Sequence, residues 1–474
     1  MYRNIIAFIA VVTALPLWAQ RTDVPGRALS YDEAVLMVME NNDQIRADRY
    51  AEQASLKQKK AAVGLRSPQL SLSAGYAFMS DDIAVDMNGL KEPIGGALGQ
   101  LGQLGLPVPP TLTGQLMGAD WSLPLQERDF AVVGATLKVP IYTGGKINAA
   151  NRAARINMEQ SRQQSAGNRN SLYTTLAERY YGLSLAMHVV DVRSQVVEGM
   201  KKHLEDAVRL EQNGMIARVE RLYAEMKLSE AQAELRKAEA EAATVSAALA
   251  GTIGTADKVI PVTSMFVLSS LGEADDFKAM AAEYSPLLKQ VSMKRSLAEE
   301  AVKVQRADFI PQIAAMGGVN IYDYKLTKMA PRWAVGAGLS FNIFNGLNRE
   351  HKFSAAKSTV KQVEAIEDRV FVDINTLIDK FYNGLSTVSE QIDANDATIA
   401  FAQEYLRIKE KAFAEGNAPS SDVVDARLNL AAAKIARLKC AYDFDVQLAQ
   451  LLETCGVSER FADYRSVQGY RAID

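Results

Sequence analysis

The residues best placed to do chemistry are two acids, Asp422 and Asp425, three apart and shortly after Gly416. On a helix that spacing puts both carboxylates on one face. Two readings fit. Acids favour the positive end of the helix dipole, so the pair suits an ordinary solvated helix start. Copies of the pair gathered about an axis would instead form a ring that attracts cations. Glu220 stands after Gly214 as Asp422 stands after Gly416, and Arg218 and Arg221 flank it as candidate ion-pair partners for Glu220 or Asp422. Nothing else in the chain suggests bond-making chemistry. Ser, His and acids fall in no nucleophile elbow, phosphate loop or HExxH pattern, so no catalytic residue is assigned and no enzyme activity is expected. His188, His203 and His351 do not cluster with cysteines, and the pattern indicates no metal site and no cofactor. Cys440 and Cys455 lie fifteen residues apart on one predicted helix, which is about 22 Å of rise and too far for a disulfide. Core packing is their better reading.

The 474 residues are 48 % hydrophobic and 23 % charged, with a formal net charge of −3. That is a folded composition with no basic face for nucleic acid. Residues 1–19 read as a signal peptide: Arg3 is the one charge before an apolar run from Ile5 to Ala19. The alternative is a buried first helix. No later apolar run reaches about 18 residues, so any membrane-embedded part must be built of strands.

The elements that position the acids are written twice. GLRSPQLSLSAGYAF, from Gly64, corresponds to ADFIPQIAAMGGVNI, from Ala307, and Pro311 follows Pro68 by 243 residues. LKVPIYTGG, from Leu137, corresponds to LSFNIFNGL, from Leu339, at an offset of 202. EQNGMIARVERLYAE corresponds to FAEGNAPSSDVVDAR at the same 202, setting Gly214 on Gly416. The difference of 41 residues is an insertion between about Met79 and Asp129, and its GGALGQLGQLGLPVPPTLTG reads as a long loop.

Each copy reads helix, strand, strand, long helix, returning helix. The first repeat covers 28–255, with strands at about 68–79 and 130–142 and helices at 146–212 and 217–250. A linker occupies 256–273. The second repeat covers 274–456, with strands at about 311–322 and 332–344 and helices at 348–415 and 420–455, and 457–474 is a tail. The long helices contain no proline, and 67 residues would make a rod of about 100 Å. Leu183, Val190, Val197 and Leu204 repeat every seven residues, as do Leu385, Ile392, Ile399 and Leu406, the period of a coiled-coil seam. The strands alternate. Leu70, Leu72, Tyr76 and Phe78 oppose Gln69, Ser71 and Ser73, and Trp333, Val335, Leu339 and Phe341 oppose Gly336, Gly338, Ser340 and Asn342. Apolar-out, polar-in strands with aromatic ends belong to membrane barrels, although a soluble sheet with one wet face alternates too. Four strands cannot close a barrel alone, so the barrel must be shared between chains.

This duplicated order resembles the TolC family of outer-membrane efflux proteins, over about Ser30 to Gly456. The likeness rests also on the strand-to-helix junctions VPIYTGG and FNIFNG, with Pro140, Gly144, Gly145 and Gly346, and on the tip AFAEGNAPSSDVVDARLNL. It implies an α+β membrane protein: a homotrimer whose twelve-stranded β-barrel in outer-membrane lipid continues into a twelve-helix periplasmic α-barrel. It implies partners at the tunnel's inner end, a periplasmic adaptor (membrane fusion protein) and an inner-membrane pump of RND, ABC or MFS type. The adaptor would dock on the hairpin tips, Gly214, Met215 and Ile216 with Gly416, Asn417, Ala418 and Ser421. It also implies that Asp422, Asp425 and Glu220 ring a periplasmic gate. Phe413 and Ala418 stand where the family has a tyrosine and an arginine that hold the gate shut, so those links are absent here. The rival from another class is an envelope coiled-coil scaffold without transport, which leaves the alternating strands unexplained.

Overall fold

The structure is a computed structural model that describes residues 26–106, 108–327 and 329–473. The expected signal peptide lies outside the described residues. The first half runs β1 (Arg27–Leu29), α1 (Tyr31–Asn41), α2 (Asp43–Gly64), β2 (Gln69–Phe78), β3 (Ile83–Asp86), α3 (Lys91–Gln103), α4 (Pro110–Gly118), β4 (Ser122–Gln126), β5 (Asp129–Tyr142), α5 (Lys146–Gln212) and α6 (Arg218–Ile253). The second half runs β6 (Val259–Pro261), β7 (Met265–Leu268), α7 (Ala274–Tyr284), α8 (Pro286–Ala307), β8 (Gln312–Tyr324), β9 (Trp333–Ser340), α9 (Asn348–Ala414), α10 (Ser420–Cys455) and β10 (Tyr470–Ile473).

The two halves match element by element. Helices α2 and α8 have 22 residues each, α5 and α9 67 each, and α6 and α10 36 each. Both returning helices stop at a left-handed glycine, Gly254 at φ 74° and Gly456 at φ 82°. One tertiary hydrogen bond is also made twice. Tyr180 on α5 donates to the Leu29 carbonyl at 2.7 Å, and Tyr382 on α9 donates to the Gly272 carbonyl at 2.8 Å. Tyr382 follows Tyr180 by 202 residues and Gly272 follows Leu29 by 243, the two offsets of the sequence repeat.

The chain divides into two compact units. One holds the described residues up to Asp48, Ser165–Pro286 and the described residues from Val372. Its core is the heptad seam, where Leu176, Leu183, Ile378, Leu385 and Ile392 are buried. Tyr31, Tyr180, Tyr181 and Phe461 add an aromatic cluster with ring centroids 5.2 to 6.0 Å apart. Ser30 and Glu33 form the capping box that opens α1.

The other unit, Arg49–Gln164 and Leu287–Phe371, carries the sheet. Its four strands run β2-β5-β8-β9, each antiparallel to the next. The register aligns the alternation across strands: Leu70 faces Leu137, Leu137 faces Gly317 and Gly317 faces Val335. Leu70, Leu72, Tyr76, Trp333, Val335 and Leu339 thus share one face, and each is at least 67 % exposed. The opposite face carries Ser71, Ser73, Thr136, Gly318 and Gly336. The outer edges of β2 and β9 pair with no strand among the described residues.

Two expectations are corrected here. The insertion is not a bare loop: β3 and β4 form an antiparallel hairpin, and α3 and α4 lie between them. Its prolines and glycines are compatible with helix where they fall. Pro110 opens α4, where a missing N–H costs nothing. Gly95 leaves room for Met117, whose methyl would lie 1.8 Å from a Cβ added there. The last strand ends at Ser340 rather than near 344. Beyond the final pair, Gln312 with Ser340, the carbonyls of Asn342 and Ile343 accept from the Arg349 guanidinium at 2.6 and 3.2 Å instead of from a strand.

The strand-to-helix junctions differ in tightness. Gly144 has φ 63°, and an added Cβ would stand 2.8 Å from the Ala307 carbonyl oxygen; Gly346 has φ 69° and open space. Gly346→Ala should cost only the left-handed penalty, about 1–2 kcal/mol. Gly144→Ala should cost clearly more, because backbone must also move. Denaturant unfolding of the two variants checks the order, and equal losses would contradict it.

Candidate functional site

Both hairpins turn through the same structure. Gly214 and Gly416 take left-handed φ of 69° and 74°. The Met215 amide donates to the Leu210 carbonyl and the Asn417 amide to the Ala412 carbonyl, both at 2.8 Å. These six-to-one bonds satisfy carbonyls that the helix ends leave over. Beneath the turns, Ala207, Ala224, Leu406, Phe413, Val423 and Ala426 form a small buried core, with Leu204, Ile216 and Leu430 packed against it.

A polar link crosses this core between the hairpins. Helix α10 begins after Pro419, which has no side-chain acceptor to offer the first amides. The acceptor comes from α6: Glu220 Oε2 takes the Ser420 amide at 2.8 Å. Ser420 is itself fully buried, and its Oγ lies 2.6 Å from His203 Nε2 on α5. His203 is only 4 % exposed, with its ring 4.5 Å from that of Phe413. Burial, with the Arg427 cation adding to it, pulls the His203 pKa down to about 4, so the ring is neutral at pH 7.

The acids are not equivalent. Asp422 is half-buried and paired with Lys409 at 2.6 Å, whereas Asp425 is exposed and forms no ion pair among the described residues. Glu220 is committed to the start of α10. The expected pairing of Arg218 and Arg221 with Glu220 or Asp422 is corrected. Arg221 binds Glu211 at 2.6 Å and Glu225 at 3.1 Å, because the turn at Gly214 brings Glu211 back beside it. Arg218 is exposed, with no ion pair among the described residues. Of the expected docking residues, Gly214, Met215, Gly416 and Asn417 are exposed, Met215 at 52 %. Ile216, Ala418 and Ser421 are partly covered, Ile216 because it packs on the tip core. Pro140 sits at a bulge in β5, where its missing N–H interrupts no regular ladder.

His203, to which the sequence assigned no role, belongs to the site, as do Ser420 and Lys409. The one sequence signal for them is Pro419, a helix start that must borrow its cap. Both cysteines are free. Cys455 is buried, its Sγ 3.4 Å from the Phe277 carbonyl, and burial pushes its thiol up to about 12. The described residues contain no group of three metal-ligating side chains and no helix long and apolar enough to cross a membrane.

The sequence matches the outer membrane efflux protein family over residues 36–255 and 279–457. The chain belongs to that family. Solved structures agree on the fold. The outer membrane protein VceC of Vibrio cholerae is 15 % identical, with a TM-score of 0.69 over 90 % of this chain and 96 % of its own. The CmeC outer membrane channel of Campylobacter jejuni is 15 % identical, with a TM-score of 0.68 over 92 % and 88 %. The MtrE outer membrane channel of Neisseria gonorrhoeae, solved in its open state, is 16 % identical, with a TM-score of 0.65 over 90 % and 88 %. Among curated proteins no sequence relative was found. The efflux-protein family fixes the frame of this chain, an outer-membrane channel of the TolC type. At the tip its own side chains give a His203–Ser420–Glu220 link.

That link makes the tip sensitive to acid. The unfolded state takes up a proton near pH 6.5 and the folded state near 4, so stability is complete above about 6.5 and falls as pH drops between those values. The loss at the bottom of the window is on the order of 3 kcal/mol. Amide exchange at residues 203–216 and 413–424, corrected for intrinsic rates, should therefore quicken from pH 7.5 to 5. His203→Gln should flatten that dependence; an unchanged profile would exclude His203 as its source.

Proposed function

We propose that three copies of the chain close a twelve-stranded barrel in the outer membrane and carry substrates outward from a periplasm-spanning pump complex. The observation that carries this reading is the sheet of β2, β5, β8 and β9, with one continuous exposed apolar face and two free edges. Each unpaired peptide group costs several kcal/mol in hydrocarbon, so an edge of eight or ten residues cannot remain open there. Joining β9 of one copy to β2 of the next removes every edge. Two copies would make an eight-stranded barrel, whose interior side chains must fill. Gly, Ser and Ala dominate the polar face, with few long side chains such as Lys138 and Met316, which favours three copies and a water-filled lumen. Crosslinking of detergent-extracted protein should give a three-chain species, and a folded, membrane-inserted monomer would overturn the proposal.

The hairpin tips are the end at which the periplasmic adaptor and inner-membrane pump would engage. Exposed Met215 beside Gly416, where an added Cβ would meet its methyl at 3.9 Å, offers a small apolar surface for the adaptor. Acids close to the axis would make the entrance cation-selective. With Asp422 neutralised by Lys409, most of that field comes from Asp425, in three copies. In planar bilayers Asp425→Ala should lower cation selectivity and relieve block by a trivalent ion such as hexamminecobalt. Asp422→Ala, which frees Lys409, should shift selectivity in the same direction. Selectivity and block unchanged in both variants would leave the acids as solvated helix-start residues.

A further inference from the structure

A second site lies in the sheet-bearing unit, where α8 leads into β8 and α9 leaves β9. Between α8 and α9 is an open cavity of about 890 Å³, and four cations line it: Lys303 and Arg306 from α8, Lys357 and Lys361 from α9. Its acids are Glu299 and Glu364, so its formal charge is 4 − 2 = +2 in a chain whose net charge is −3. Lys303 is engaged with Glu300 at 2.7 Å. Arg306, Lys357 and Lys361 form no ion pair among the described residues.

The cavity is joined to the apolar face of the sheet by alternating rings and cations. Phe341 is next in the alternating series of Trp333, Val335 and Leu339. The Arg349 guanidinium lies over Phe341 at 5.9 Å and over Phe309 at 4.8 Å. Phe309 meets Phe353 at 5.7 Å, and Lys357 Nζ stands 4.4 Å over Phe353 inside the cavity. Aromatic residues flanked by Lys and Arg are the composition of a membrane–water boundary, where rings lie at headgroup depth and cations meet phosphate. Arg306 lies only six residues before the first residue of β8. Arg306 and Lys357 therefore stand about one helical turn beyond the Phe309–Phe353 ring pair, roughly 6 Å, and Lys361 a further turn.

We infer that this cavity binds the phosphate of an anionic phospholipid headgroup, held between Arg306 on α8 and Lys357 and Lys361 on α9, with acyl chains laid along the apolar face of β8 and β9. A site bridging two helices would fasten their junction with the sheet at the depth the lipid defines. The inference rests on the reading of that face as lipid-facing. It concerns a net negative phosphate, which a lipid or inorganic phosphate can supply.

The test uses the full-length protein and the triple variant Arg306→Gln, Lys357→Gln, Lys361→Gln. Both are first reconstituted in phosphatidylcholine vesicles, which report the lipid-facing sheet alone and should accept both proteins. Insertion of neither would refute the sheet reading, and this inference with it. Native mass spectrometry after exchange into vesicles with one-fifth phosphatidylglycerol then reads the site. The wild type should retain phosphatidylglycerol, and the variant at least ten-fold less. Ten millimolar inorganic phosphate should not displace it; displacement would assign the site to free phosphate and overturn the lipid source. Equal retention by two well-inserted proteins would overturn the site itself.

Discussion

A β-strand in hydrocarbon has to pair both of its edges, and among the described residues the four-stranded sheet of this chain pairs both edges of β5 and β8 but one edge each of β2 and β9. The architecture follows from that shortage. Strands β2 and β9 are free where another copy can meet them, and helices leave the same end of all four strands, so whatever closes the sheet also gathers the helices. The exposed apolar side chains on one face would be a serious liability in water, and they become the favourable face once lipid covers them. The sparse packing of α2, which has no buried residue, belongs to the same logic: in the proposed assembly a helix beside an edge strand would find its remaining neighbour in another copy.

Duplication supplies the scaffold, and departures from it supply the functions. The tyrosine-to-carbonyl bonds at Tyr180 and Tyr382, the glycine stops and the glycine turns are each made twice. At the tips the copies diverge. Arg218, exposed, corresponds to buried Ser420; Tyr223 corresponds to Asp425; Ala217 corresponds to Pro419. Those differences create the link in which Glu220 of one hairpin caps the helix of the other.

Periodicity is what the sequence displays openly. A proline-free stretch with seven-residue spacing can be little other than a long helix, and α5 and α9 are that. Alternation marks β2 and β9 as clearly. Three features were hidden for distinct reasons. Helix α3 is hidden because glycine and proline signal loops, although proline is tolerated in a first turn and Gly95 serves a close packing contact. The end of β9 at Ser340 is hidden because it depends on Arg349 capturing two carbonyls from the next helix, a tertiary choice. The pairing of Lys409 with Asp422, and of Arg221 with Glu211 rather than Glu220, depends on how adjacent helices are rotated about their axes. Residue spacing leaves that rotation open.

The same reasoning explains why the tip is held by few bonds. Along the wall α5 and α9 are fixed by large buried side chains repeated over many turns, Leu176, Leu183, Ile378, Leu385 and Ile392 among them. At the tip three of the six buried side chains are alanines, Ala207, Ala224 and Ala426, and the apolar contact rests chiefly on Leu406, Phe413 and Val423. The His203–Ser420–Glu220 link adds polar contacts between the two hairpins at that place. It is two separate bonds at one buried residue, the Ser420 amide to Glu220 and the Ser420 hydroxyl to His203, so losing Glu220 or His203 leaves one buried polar group of Ser420 without its partner.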